Sequence, residues 1–182
     1  MKLLKALLAI LILTGAMLVV GGLLLPASTR VERSTTIDRP PPAVFATLDT
    51  FADFNAWSPW AELDPQARYL YSGPAVGVGA KMSWAGSPVM GSGSQEILES
   101  VRSSRIVNAV DFGNSQATAT YTLMPRGAGT ELTWALDTAH GYNLVSRWLG
   151  ALALDHMIGR DLEKGLAKLK AMLESGPVGA GE

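Results

Sequence analysis

The run GYNLVSRWLGALALDHMIGRDLEKGLAKLKAML, Gly141–Leu173, decides how the rest of the chain is read. Apolar residues recur at Leu144, Trp148, Leu152, Ile158, Leu162, Leu166, Leu169 and Leu173. Most steps are three or four residues, the spacing of one apolar stripe on an amphipathic helix. Lys164, Lys168 and Lys170 fall late in the run, where the negative end of the helix dipole favours cations. Gly176 and Pro177 supply a stop. A longer step spans Asp155 and His156. Asp155 can cap a new helix, so residues 142–153 form either the first turns of one long helix or a separate, movable lid.

A helix of this length needs a surface to cover, and the preceding chain supplies strands. Val31–Ile37 alternates and is rich in Thr and Val. The run Arg39-Pro40-Pro41-Pro42 ends it, and Pro then opens a helix continuing through Ala43–Phe51. Asp53 starts a further short turn that Ser58-Pro59 stops. Short strands follow at Arg68–Ser72, Lys81–Ala85, Ser94–Val101, Ile106–Phe112, Gln116–Met124 and Thr130–Asp137, divided by Gly and Pro. In the last two, Ala117, Ala119, Tyr121 and Leu123, then Leu132, Trp134 and Leu136, take one face. Thr residues take most of the other. Such alternation makes an antiparallel sheet with one covered and one wetter face.

The N-terminus carries a different signal. Ala6–Leu25 is uncharged and apolar, about the length that spans a bilayer core. It is longer than the apolar part of a usual signal peptide, and no small-x-small cleavage site follows it. Residues 1–29 therefore read as a transmembrane anchor with a short linker, residues 30–175 as one domain, and residues 176–182 as a loose tail. Lys2 and Lys5 precede the apolar run, and Arg30, Arg33 and Arg39 follow it, a near-balance for the positive-inside rule. The short basic tail favours a single-pass protein with its domain outside the cytoplasm. A C-terminal reporter that works only outside the cytoplasm is expected to be active; activity only from a cytoplasmic reporter would reverse the orientation.

The order of elements, with the stretches VERSTTIDRPPPAVFATLDTFADFNAWSPW, YSGPAVGVGAKMSWAG, GTELTWALD and MIGRDLEKGLAKLK, resembles the START-like, or SRPBCC (Bet v 1-like), superfamily. The likeness is to its polyketide cyclase/dehydrase branch and covers about residues 30 to 174. It implies an α+β helix-grip fold: a curved antiparallel sheet around the long C-terminal helix, with a cavity between them for lipids, polyketides or other apolar molecules. Many members of this type carry a single N-terminal membrane segment. The resemblance brings no defined catalytic motif.

Composition narrows the chemistry. The formal net charge of -1 argues against a nucleic-acid surface. With no Cys there is no thiolate nucleophile and no Cys-based metal site. No P-loop, G-x-S-x-G or H-E-x-x-H occurs, and Gly77-Val78-Gly79 and Gly91-Ser92-Gly93 read as turns. His140 and His156 lack a third ligand at useful spacing, so neither a metal nor another cofactor is expected. His156 and its charged neighbours read as a solvated helix face. Glu96 and Glu99 differ in parity, so at most one can face the sheet–helix space.

Large apolar side chains carry the remaining signal. Trp57, Trp60, Trp84, Tyr121, Trp134, His140, Trp148, Leu152 and Ile158 are the candidate ligand contacts, with Trp148, Leu152 and Ile158 facing inward from the helix. Met82, Met90, Met124 and Met157 offer adaptable walls. Gly150 and Gly159 each cost the helix roughly 1 kcal/mol relative to Ala, which room for a ligand, close packing or a helix break would explain. The expected function is binding of a small hydrophobic ligand or lipid beside the membrane. A cyclase/dehydratase using Tyr121, His140 or a buried carboxylate, and a non-catalytic protein-interaction module, are the alternatives.

Overall fold

The computed structural model describes residues 2–113 and 115–175; the expected tail, residues 176–182, lies outside them. The chain opens with α1 (Lys2–Leu24), an apolar helix with almost none of its surface buried. It is long and apolar enough to cross a membrane, a test of length and composition that an N-terminal signal sequence also passes. Then come β1 (Ser28–Ile37), α2 (Pro41–Leu48), α3 (Phe54–Trp57) and a single 3-10 turn at Trp60–Leu63. Six strands follow: β2 (Arg68–Ser72), β3 (Lys81–Ala85), β4 (Ser92–Val101), β5 (Arg105–Asp111), β6 (Gln116–Arg126) and β7 (Gly129–Ala139). The chain then forms α4 (Leu144–Leu149), one π-helical turn (Gly150–Leu154) and α5 (Asp155–Ser175).

All seven strands make one antiparallel sheet in the order β1-β7-β6-β5-β4-β3-β2. Hairpins connect β2 through β7 in sequence, while the two helices between β1 and β2 carry the chain across the covered face. The register aligns Tyr121 with Trp134, Ala119 with Leu136 and Ile106 with Tyr121, so the alternation read in β6 and β7 becomes one inner face. Helix α5 lies over that face, packed chiefly on β1 and α3. Leu162, Leu166 and Leu169 are its innermost side chains, at 2% exposure or less.

Two glycines of the terminal helix are there for close packing. A Cβ on Gly159 would stand 2.1 Å from the Arg33 guanidinium, which reaches Asp155 and Glu163 on the same helix. A Cβ on Gly150 would stand 2.3 Å from His140 Nε2 and 2.5 Å from Thr29 Oγ1, two atoms hydrogen-bonded to each other. Neither position borders a ligand space.

The lid expected over residues 142–153 loses its basis. Asp155 has helical backbone angles, φ -61° and ψ -42°, so it continues the helix through the π-helical turn. Asn143, not Asp155, caps this region, accepting a hydrogen bond from the Ser146 N–H. The long step in apolar spacing vanishes because Leu152 is exposed and Leu154, four residues before Ile158, packs on the core instead.

Burial ranks the helix side chains for mutation. Leu166→Ala should cost the detergent-solubilised chain about 2–5 kcal/mol of stability. Leu152→Ala, at a position 76% exposed, should stay within about 0.5 kcal/mol. Urea unfolding of both variants measures the difference.

Candidate ligand cavity

Large aromatic side chains set the spacing between sheet and helix. Trp57 from α3, Tyr121 from β6 and Trp134 from β7 are nearly inaccessible and contact one another. Tyr121 and Trp134 stack at 5.4 Å, and Trp57 meets both edge-on. Gly165 of α5 sits directly on this layer: a Cβ there would approach the Trp134 ring to 2.7 Å. The space between sheet and α5 is therefore filled. The expectation of a cavity walled by the terminal helix is corrected accordingly, because no α4 or α5 residue lines the cavity observed.

The cavity lies on the far side of Trp134, under α3 and the 3-10 turn, with a volume of about 100 Å³. Trp60, Trp84, Tyr121 and Trp134 all border it, as do Met82 and Met90. Sequence reasoning missed Phe54, Tyr69, Gln95 and Phe112, which complete much of the wall. Tyr69 lies in the short strand β2 and Phe112 just past the end of β5, where alternation gives no inward face. Trp84 tilts across β4, where a Cβ on Gly93 would clash with its ring at 2.4 Å. Gly93, in a Gly-Ser-Gly stretch that reads as a turn, is a strand residue that makes room for an indole.

The other candidates lie elsewhere. Trp57 belongs to the aromatic layer behind the cavity. Ile158 faces inward but packs on the core. His140 is held at the end of β7 by Thr29, 2.8 Å away. Trp148 packs on α1, donating from Nε1 to the Leu18 carbonyl at 3.0 Å. Leu152 points outward. The inward placement expected for Trp148 and Leu152 fails because the apolar residues of α4 are shared between α1 and the exterior. Met124 and Met157 are exposed as well.

The groups considered for proton transfer do not converge. Tyr121 borders the cavity and burial pushes its pKa up, so its hydroxyl keeps its proton. His140 is outside. Glu96 and Glu99 both face outward, paired with Lys81 and Arg105. Parity separated the two, but a β-bulge between Ile97 and Glu99 shifts the register and returns Glu99 to the outer face. Two buried polar groups of lining residues, the Tyr69 hydroxyl and the Trp134 indole N–H, have no hydrogen-bond partner within the protein. The Gln95 side chain is a third polar group in the wall, 5% exposed.

The wall formed by the 3-10 turn is pinned to α5. Trp60 Nε1 donates to Asp161 Oδ2 at 3.2 Å. Glu62 accepts from both Lys164 and Lys168. The side of the pocket nearest solvent is marked by the exposed lining residues Leu63 and Phe112, with Trp84 and Met90 partly exposed. The strand register places it: Trp84 is next to the last residue of β3, and Phe112 follows the last residue of β5. Through the pairs Ala85↔Ser92, Ser94↔Asp111, Asp111↔Gln116, Ala117↔Thr138 and Ala139↔Ser28, this is the rim of the sheet from which α1 departs.

A curved antiparallel sheet, two short helices and a long terminal helix around an apolar pocket define a helix-grip protein. The family model described as "Polyketide cyclase / dehydrase and lipid transport" matches residues 28–174, and the chain belongs to that family. Protein CV1439 from Chromobacterium violaceum has a similar structure: TM-score 0.59, 17% identity, covering 81% of this chain and 99% of that one. The di-domain ARO/CYC StfQ of the steffimycin biosynthetic pathway gives 0.58 at 12% identity, covering 81% of this chain and 51% of that one. Ara h 8.0201 gives 0.55 at 11%, covering 82% and 99%. These likenesses establish the Bet v 1-like fold. No curated protein matches the chain.

The pin at Glu62 carries a pH signature. Hydrogen bonds from Lys164 and then Lys168 push its pKa down to about 2. A depressed carboxylate stabilises the fold above its unfolded value, roughly pH 4.3, and loses that contribution as pH falls through about 2. Glu62→Gln should therefore lower the melting temperature at pH 7 and make little difference near pH 2. High salt should shrink the effect, since the pair is half exposed. Parallel thermal melts of both proteins test it.

Proposed function

We propose that this chain is a membrane-anchored START-like domain that holds a small hydrophobic ligand, with the domain of residues 30–175 outside the cytoplasm. One observation carries the reading: an apolar pocket lined by two residues, Tyr69 and Trp134, whose buried polar hydrogens have no partner in the protein. Buried donors of this kind are costly unless something accepts from them. An apolar molecule with one acceptor oxygen would satisfy a donor and fill the space. The family's description, which includes lipid transport, supports the same class of ligand. The catalytic alternative is less favoured, because Tyr121, His140 and the carboxylates do not share a cavity.

Size sets the terms of binding. Ligand pockets usually measure roughly 300–1,000 Å³, and this one is about 100 Å³. A buried apolar cavity of roughly 150 Å³ holds benzene, so one ring is near the limit of the form seen. Burying about 150 Å² gains roughly 4 kcal/mol, which is at best millimolar affinity. A lipid-sized ligand needs the 3-10 turn to swing away from α5, breaking the Trp60–Asp161 and Glu62–lysine contacts.

Ala119 lines the pocket and is 2% exposed. Ala119→Leu should fill the space and abolish binding of phenol while leaving the fold intact. Equilibrium dialysis of the detergent-solubilised chain against phenol reads this directly. Equal uptake by the wild type and the variant, or none by either, would defeat the proposal.

A further inference from the structure

Helix α4 presents two adjacent stripes, and only one is covered by protein. On the first, Leu144 and Trp148 lie against the last turns of α1. A Cβ on Gly21 would stand 2.7 Å from the Trp148 ring, and one on Gly22 would stand 3.2 Å from Leu144. The two glycines thus let the helices touch, as small residues do between membrane helices. Between the helices, Arg147 is 8% exposed. Its Nη1 donates to the carbonyls of Gly22, Leu23 and Leu25, at 3.4, 3.2 and 3.2 Å, and its Nε donates to Gly141 at 2.8 Å. These are carbonyls at the C-terminal end of α1, which lack partners within their own helix and carry the negative end of its dipole. Anchor and domain are therefore joined by a buried cation and an indole, in addition to the peptide linker.

The second stripe is Tyr142, Val145, Leu149 and Leu152, exposed by 92, 68, 59 and 76%. The spacing of Val145, Leu149 and Leu152 keeps these three on one side of the helical segment, and Tyr142 stands just before its Asn143 cap. The apolar side chains around α1, among them Leu18 and Leu24, are exposed as well. Trp148 bonds to Leu18, six residues before the end of α1, so α4 runs beside about the last 9 Å of that helix. A helix of 23 residues is about 35 Å long and exceeds a bilayer core of about 30 Å by roughly one turn.

We propose that α4 and the π-helical turn lie in the interface of the bilayer that α1 crosses, with Val145, Leu149 and Leu152 among the outer acyl segments and Tyr142 at headgroup level. The inference rests on the membrane-anchor reading above and adds a second contact with the same bilayer. Interfacial helices of this kind bury their apolar face about 5–10 Å deep and place aromatic residues at the boundary. The occupant is the bilayer because the stripe lies beside the exposed apolar end of α1 and is locked to it through Arg147 and Trp148. One consequence concerns the cavity. Its side nearest solvent lies on the sheet rim that carries α1, so that rim is turned toward the lipid.

The chain contains no Cys, so single labels are clean. Full-length Leu11→Cys, Leu152→Cys and Met124→Cys variants would be spin-labelled in vesicles of phosphatidylcholine and phosphatidylglycerol. Accessibility to oxygen and to a water-soluble nickel chelate reads depth. Leu11 lies within α1, and Met124 is exposed near the opposite rim. The expected result is a label at position 152 that resembles the one at 11, with nickel access several-fold below that at 124. A label in lipid at 11 but in water at 152 would overturn the interfacial placement and leave the anchor standing. Water at 11 would overturn the anchor and this inference together. Protection of 152 from both reagents, with spin–spin broadening, would overturn it in favour of a second copy of the chain.

Discussion

The stacked pair Tyr121–Trp134, with Trp57 set against both, is the contact on which the rest of the structure depends. A curved sheet and a helix cannot meet along their whole length; something must fill the wedge between them. Here three large rings fill it, contributing ~0.5–1.5 kcal/mol per pair beyond the area they bury. Gly165 allows α5 to settle onto Trp134, and Leu162, Leu166 and Leu169 seal the flanks. Because these rings close the space beneath the helix, the open volume moves to the other half of the sheet.

That displacement changes which part of the molecule controls the pocket. The terminal helix is a back support, and the outer wall is the 3-10 turn. That turn is short, and it is tied to α5 by the Trp60–Asp161 bond and the Glu62 ion pairs. Exposed ion pairs are individually weak, whereas α3 is held by the buried Phe54 and Trp57.

A second constraint acts at the other end of the chain. The last carbonyls of a helix have no partners within it, and Arg147 supplies three donor contacts at the end of α1. The arginine is surrounded by the backbone of α1 and α4, so its charge is offset by aligned carbonyl dipoles. This explains an otherwise puzzling composition. Trp148 and Leu144 pack on α1, Gly150 leaves room for the Thr29–His140 bond, and the remaining apolar residues of α4 are exposed.

Much of this was legible in the residues. The period-two pattern of β6 and β7, the proline run after β1 and the spacing of α5 determined the element order, the antiparallel sheet and most of the inner face, because local periodicity reports which side of an element avoids water. Four of the nine candidate contacts, Trp60, Trp84, Tyr121 and Trp134, border the cavity, since strand parity identified the inward face or the short helices offered few alternatives. Tertiary structure alone decided the rest. Apolar residues in α4 look identical whether they cover a sheet, an anchor helix or a bilayer, so Trp148 and Leu152 could not be assigned from spacing. The bulge at Leu98 altered parity within a strand that read as regular, and Gly93 took its meaning from an indole on the neighbouring strand. Periodicity specifies a face; only the packed chain specifies what that face meets.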